Sequence, residues 1–253
     1  MSEPSTLATL THLPFPTTDP THFVHIISNL LSLSECNSII ASHTDLSPSN
    51  LTYGTIRTRE QFFDRPLANR LWSRISKFYA GTRIQDEDGY WWVAKGLNPD
   101  LRLSKYEKDG KFTAHFDYPR SLSLNEQTFL SLNIYLNTVP SSLGGSTRIL
   151  RHEATKGDYW NGIDGLEVLA RIQPVQGCAS VFRDTVWHDG DKLLGGEKFL
   201  LRSDVVFERE EAFDFDKMYE EEEKRERAEK LVEREKFVEA DERAREIDPG
   251  NGG

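Results

Sequence analysis

Residues 106–117 read Tyr-Glu-Lys-Asp-Gly-Lys-Phe-Thr-Ala-His-Phe-Asp, and the fold turns on how this stretch is taken. Asp109-Gly110 is a turn signal between two runs of β-forming residues, Leu101–Tyr106 and Lys111–Phe116. The same rhythm continues outward from it. Tyr90–Ala94 precedes it; Phe129–Leu136, Ser146–Leu150, Glu167–Ile172, Ala179–Arg183 and Lys198–Phe207 follow. Gly144-Gly145, Gly162, Gly165, Gly177, Gly190 and Gly195-Gly196 fall between most of these runs. Eight short strands at close spacing with glycine-bearing turns predict a mainly β domain with helical support (α+β), a double-stranded β-helix or jelly roll.

Upstream the pattern differs. Residues 1–20, rich in Thr, Ser and Pro, are expected to form a flexible leader. Phe23–Leu33 suggests a strand, and a short helix follows over Ser34–Ile40 with Ser32 or Ser34 as its N-cap. Leu51–Arg57 is expected as a strand. Asp64–Tyr79 is expected as a helix capped by Asp64, with Pro66 in its first turn and Leu67, Leu71, Trp72, Ile75 and Phe78 on one face. The main domain is therefore drawn at 21–210, with the jelly-roll core at about 90–209.

Residues 211–253 form a third segment, a charged helix and tail. Glu220–Lys224, Glu221–Arg225, Glu223–Arg227, Glu226–Lys230 and Glu239–Arg243 are i,i+4 pairs in the favourable order, and Asp248-Pro249-Gly250 ends the helix. Ala228, Leu231, Val232, Glu235 and Val238 make a thin, interrupted apolar stripe, which suits either a solvated helix lying on the barrel or a contact with a partner. The oligomeric state is open.

Composition narrows the function classes. The chain has 253 residues, 37% of them hydrophobic, a mean hydropathy of −0.57 and a formal charge of −10. Residues 210–253 hold 17 acids against 9 bases and residues 1–209 hold 24 against 22, so the acidity belongs to the tail. No basic cluster suggests nucleic acid, and no apolar run approaches the ~18 residues of a membrane span. The N-terminus has neither the basic nor the apolar region of a secretory signal. Two cysteines, Cys36 and Cys178, with Cys178 in an apolar run and expected as a core thiol, fit a cytoplasmic or nuclear compartment.

In a strand, His115 and Asp117 point to the same side. One nitrogen and one oxygen two positions apart are two ligands of a facial 2-His-1-carboxylate set, which leaves positions on Fe(II) open. By itself H-x-D more often marks a strand-end histidine in an ordinary hydrogen bond. His188 supplies the missing member at the end of the run Cys178–Phe182. Ten residues on, Lys198 opens a strand on which Lys198, Leu200 and Arg202 share a face. A cation facing into a barrel needs an anion, which a dicarboxylate would supply; an exposed barrel rim is the plainer meaning of each cation.

From about Ser34 to Arg209 the chain resembles the prolyl 4-hydroxylase-like branch of the Fe(II)/2-oxoglutarate-dependent dioxygenases. The resemblance lies in the order and spacing of loose motifs: Tyr106 nine residues before His115, the His115-x-Asp117 pair, Tyr135-Leu136-Asn137, Gly144-Gly145-Ser146-Thr147, Pro174 and Gly177 before an apolar strand, His188, and Lys198 within Lys-Phe-Leu-Leu-Arg-Ser-Asp-Val-Val-Phe. It implies that His115, Asp117 and His188 bind Fe(II) and carry catalysis. It implies that Lys198, helped by Tyr135, Tyr106 and Ser131, binds the far carboxylate of 2-oxoglutarate, with Arg202 as the competing partner. It implies O2 as oxidant, with ascorbate as a candidate reductant that keeps the iron ferrous. The implied reaction is hydroxylation of an unactivated C–H of an amino acid, a peptide or protein residue, or a small metabolite, releasing succinate and CO2.

Two features depart from the branch. Trp187, before the distal histidine, is bulkier than the pattern expects, and residues 151–166 form a variable insert. Arg120, Tyr118 and Trp160 are candidate substrate contacts, with Tyr159 and Arg59 behind them. His12, His22, His25, His43 and His152 lack paired spacing and are expected as surface or leader residues rather than ligands. Desaturation or ring closure on the same cofactors is an alternative reaction; halogenation is disfavoured because Asp117 fills the position a halide needs. A non-catalytic jelly-roll module working through its charged C-terminal helix is the alternative outside catalysis.

Overall fold

Helix α1 (Leu33–Ser42) starts at Ser32, whose hydroxyl accepts from the Glu35 N–H while the Glu35 carboxylate accepts from the Ser32 N–H, a reciprocal capping box. Helix α2 (Arg65–Tyr79) starts at Asp64, which accepts from the Leu67 N–H, and carries Pro66 in its first turn. Arg74 ties the two helices together through a paired contact with Glu35 and a bond to the Leu30 carbonyl. The computed structural model describes residues 7–49, 54–151 and 166–247. It divides the chain into two compact units, Met1–Glu211 and Ala212–Gly253.

The first unit is a jelly roll of two antiparallel sheets. The larger sheet has eleven strands and runs β1 (Thr9–His12), β2 (Val24–Ser28), β13 (Ala179–Arg183), β10 (Glu126–Tyr135), β15 (Lys198–Arg209), β7 (Asp100–Tyr106), β4 (Thr58–Phe63) and β3 (Ser47–Pro48). Three more strands attach to it: β5 (Arg83–Gln85), β6 (Trp91–Leu97) and β9 (Ser121–Ser123). The smaller sheet is β12 (Val168–Ile172), β11 (Thr147–Leu150), β14 (His188–Gly190) and β8 (Phe112–His115).

Strand alternation separates two cores. Leu101, Leu103, Leu130, Leu132, Ile134, Leu201 and Val205 join Leu67, Leu71 and Ile75 of α2 in one cluster, so the helices cover the outer face of the larger sheet. Tyr106, Tyr135, Phe182 and Leu200, on the opposite face, meet Ile149, Ile172, Val186 and Leu193 between the sheets. Two turn residues make this geometry possible. Gly177 (φ +79°) has its α-carbon so close to Leu31 that a Cβ would lie 2.2 Å from the Leu31 carbonyl oxygen. Asp109 takes φ 69°, which aspartate tolerates better than most residues.

All eight strands expected from residue 90 onward are present, displaced by no more than a few residues. Four expectations need correction. Within the expected leader, Thr9–His12 pairs in register with His25–Ser28, because Thr-Leu-Thr-His alternates well enough to add an edge strand. The strand placed at Leu51–Arg57 lies further on, at Thr58–Phe63; residues 50–53 are outside the described set. Cys36, not Cys178, is the fully buried thiol, and Cys178 is half-buried. His25 is no surface histidine: its ring meets the Tyr79 hydroxyl at 3.0 Å.

The second unit contains α3 (Phe215–Ile247), as expected. Glu220–Lys224, Glu223–Arg227 and Glu226–Lys230 form ion pairs along it, while Leu231 and Val232 are exposed. The pairs involving Glu221 and Glu239, the positions Glu235 and Val238, and the Asp248-Pro249-Gly250 stop lie outside the described side chains or residues.

Candidate active site

His115 ends β8 and His188 begins β14, and these two strands are neighbours, with His115 and His188 in direct register. Asp117 follows β8 by two residues, and its backbone N–H is held at 2.8 Å by the carbonyl of Asp184. The three side chains converge. Nε2 of His115 is 3.7 Å from Asp117 Oδ1 and Nε2 of His188 is 3.6 Å from Oδ2, and the donor atoms of all three lie within 4.8 Å of one another. It is the one such cluster among the described residues.

The donor chemistry fits a metal ion. Nδ1 of His115 faces the Thr113 carbonyl at 2.8 Å, and Nδ1 of His188 faces that of Val186 at 2.9 Å. A carbonyl only accepts, so each Nδ1 carries the proton and each Nε2 keeps its lone pair toward Asp117. Nε2 of His115 is buried with no hydrogen-bond partner among the described residues. Burial pushes His115 down to about 3 and His188 in the same direction, so both rings stay neutral at physiological pH. Burial alone would raise Asp117, but Arg202, His188, His115 and the Ser131 hydroxyl outweigh it and hold the carboxyl well below its ordinary range. Ser131 donates to Asp117 Oδ2 at 2.5 Å and Arg202 donates to Oδ1. Neutral imidazoles and an ionised carboxylate are what a divalent cation requires.

A cavity of about 190 Å³ opens beside the triad. One water needs only ~10–15 Å³ on such a measure, so the space takes a small organic molecule. Lys198, Tyr106, Thr147, Asn133 and Leu200 line it together with the two histidines. Lys198 is 2% exposed; its Nζ donates to the Gly145 carbonyl at 2.7 Å and lies 5.2 Å from the Tyr106 ring centre. It has no carboxylate within ion-pair reach among the described residues, and burial pushes its pKa down to about 8. Gly145 takes φ +70°, and a Cβ there would meet Leu193 at 2.9 Å, so glycine lets the carbonyl approach Lys198. Arg202 is saturated by contrast. It reaches Asp117, Ser131 Oγ at 3.2 Å and Asp204 at 3.1 Å, and these anions raise it above its usual range despite burial.

The remaining expected residues divide. Of the residues expected beside the co-substrate carboxylate, Tyr106 lines the cavity; Ser131 and Tyr135 do not, Ser131 holding Asp117 and the Tyr135 hydroxyl being engaged with Thr147 Oγ1 at 3.0 Å and Ser180 Oγ at 3.2 Å. Arg120 does not line it either: it pairs with Asp100 at 2.6 Å, since the chain after Asp117 turns back across the sheet edge. Tyr118 is largely exposed, packed against Phe116. Tyr159, Trp160 and His152 lie outside the described residues.

Arg59, a weaker substrate candidate from sequence, does line the cavity; Asp189, Arg57 and Arg102 line it without having been singled out. Asp189 sits next to His188 and is held by two bonds from Arg148, at 2.8 and 2.5 Å. Its place beside a ligand histidine was the available signal. Arg59 comes from β4, Arg57 from the residue just before it and Arg102 from β7, and the sheet order brings them to the triad. Asp184, buried and pushed up to about 7 by that burial, has no side-chain hydrogen bond among the described residues.

Solved structures similar to this one include a prolyl-4-hydroxylase of Pseudomonas putida (17% identity, TM-score 0.47, covering 76% of this chain and 95% of that one). A viral collagen prolyl hydroxylase of Paramecium bursaria chlorella virus-1, in complex with 2-oxoglutarate, gives 14% identity and TM-score 0.47, with 73% and 95% covered. The epimerase SnoN of nogalamycin biosynthesis gives 15%, TM-score 0.48, with 73% and 76% covered. No curated protein matches the chain. The 2OG-Fe(II) oxygenase superfamily matches residues 101–203, a span that runs from β7 to β15 and takes in the triad and Lys198. Its cofactors are Fe(II) and 2-oxoglutarate, and His115, Asp117 and His188 could bind the iron. Over residues 101–203, the region that holds the triad and Lys198, the chain is similar to the 2OG-Fe(II) oxygenase superfamily.

Proposed function

We propose that the protein hydroxylates an unactivated C–H of an amino acid, a peptide or protein residue, or a small metabolite, in the manner of prolyl 4-hydroxylases. In this reaction R–H, O2 and 2-oxoglutarate give R–OH, succinate and CO2. His115, Asp117 and His188 hold Fe(II), which supplies the activation of O2. The observation that carries the reading is the convergence of two neutral Nε2 donors and one ionised carboxylate beside a cavity that a lone buried ammonium also lines.

Each residue then has a role. Lys198 pairs with the far carboxylate of 2-oxoglutarate; its lack of any other anion supports it over Arg202, whose charge is spent on Asp117 and Asp204. Tyr106 and Thr147 offer hydroxyls beside that carboxylate. Arg202 and Ser131 position Asp117 by holding one oxygen each. The apolar wall of Leu200 and Phe112 keeps water from the reacting carbon. Desaturation or ring closure would use the same residues and differ only in the substrate's geometry.

The first test is anaerobic titration of Fe(II)-loaded protein with 2-oxoglutarate, following the weak visible metal-to-ligand charge-transfer band. The band is expected to rise and saturate. Well-folded, iron-loaded protein that gives no band would remove the co-substrate assignment and bring forward the binding-module reading.

A further inference from the structure

We propose that the substrate oxidised here carries a carboxylate close to the carbon attacked, and that Arg57 and Arg59 are the residues that hold it. The proposal rests on the Fe(II)/2-oxoglutarate reading and names the substrate class of that site.

The cavity holds more positive charge than its acids and the co-substrate can match. Five cations line it: Lys198, Arg202, Arg102, Arg59 and Arg57. Arg202 is neutralised by Asp117 and shares Asp204 with Arg102, which reaches Asp204 at 2.7 Å. Lys198 is matched by the far end of the co-substrate, and the near end goes to the metal. That exhausts the two negative charges of 2-oxoglutarate. Asp189, the other acid in the lining, is committed to Arg148.

Arg57 and Arg59 remain. Both are half-buried. Arg59 is paired through its backbone with Ser47 and Ser104, and its side chain makes no hydrogen bond or ion pair to a described residue. Arg57 makes a single long bond, 3.3 Å, to the Tyr106 hydroxyl, and its Nε is buried without a partner among the described residues. Two partly buried guanidiniums with no paired acid favour a ligand that brings the anion. Their planar donor forks match a carboxylate two bonds at a time.

The sheet fixes where that anion would sit. Arg59 is in register with Ser104, which is in register with Leu200, so Arg59 faces the cavity two strands away from the Lys198 strand. Arg57 lies over the Phe112 ring, 3.9 Å from its centre, and Phe112 in turn stacks on His115 with ring centres 3.9 Å apart. The anion site is therefore two stacking layers from a metal ligand, so a group held there lies near the metal site.

The test titrates anaerobic Fe(II)–2-oxoglutarate protein with N-acetyl amino acids, their C-terminal amides and the corresponding phosphate monoesters, reading the shift of the charge-transfer band. At least one free acid is expected to perturb the band at a concentration tenfold or more below its amide. Arg59→Gln should erase that preference, Arg59→Lys should restore part of it, and the half-saturating 2-oxoglutarate concentration should stay within twofold in both. Acids and amides acting alike, no acid acting, phosphates acting best, or a raised 2-oxoglutarate requirement in Arg59→Gln each overturn the proposal. Absence of the band before any substrate is added would instead sink the co-substrate reading beneath it.

Discussion

Leu103 and Ser104 are consecutive residues of β7, yet they belong to different parts of the molecule. Leu103 points outward with Leu132, Leu201 and Ile75 into the core between sheet and helices. Ser104 points inward with Lys198, Arg202 and Asn133 onto the cavity. The outer face is apolar and closed by α1 and α2; the inner face carries buried cations, hydroxyls and an acid. The difference teaches that one sheet divides its labour by parity: one set of side chains provides the stability, and its neighbours use it to keep charged groups out of water.

That division predicts distinct failures on the two faces. The largest effect belongs to the triad. His115→Ala or Asp117→Ala should abolish Fe(II) binding, measured by metal analysis after gel filtration, while the circular dichroism of the fold stays; Arg202 keeps Asp204 when Asp117 is lost. Normal iron affinity in both variants would refute the assignment. Next comes the outer face: Leu103→Ala should cost about 2–5 kcal/mol in denaturant unfolding, yet leave the charge-transfer band unchanged where the protein is folded. A shifted band would mean that the faces are mechanically coupled. Lys198→Ala should raise the 2-oxoglutarate requirement far more than Arg202→Ala does, and the reverse order would transfer the carboxylate to Arg202.

The smallest effect lies in the helical brace. Hydrogen bonding by Arg74 leads the influences that hold Glu35 down at about 2, against 4.5 for a free glutamate. A depressed carboxylate contributes stability above its unfolded value and loses it as pH falls from there toward 2. The pair is about one-third exposed, so solvent screening leaves it ~0.5–1 kcal/mol. Glu35→Gln should therefore flatten the loss of thermal stability between pH 4.5 and 2. An identical acid limb in the variant would show that other carboxylates govern it.

Much of this was legible in the sequence because period-2 patterns and turn residues are local. The Asp109-Gly110 turn, the His115-x-Asp117 pair and the Asp64 cap each show within a dozen residues. What stayed hidden depends on strand order. Nothing in Thr9–His12 announces its partner His25–Ser28, and nothing in Arg57 or Arg59 announces that β4 lies beside β7 and so faces Lys198 across the cavity. Arg120 misled for the converse reason. Closeness in sequence to Asp117 is not closeness in space once the chain turns toward Asp100.

The Nδ1 contacts of His115 and His188 to carbonyls of their own strand ends have one more consequence. Each imidazole is locked as to ring flip and proton position by backbone only two residues away, so this anchoring belongs to the polypeptide alone. Such a centre behaves as a socket: a chelator should empty it and added Fe(II) should refill it without a folding transition, unlike small domains whose structure exists only around their ion. Iron can then leave and return on the timescale of ligand exchange, and its availability can set how much of the protein is active at any moment.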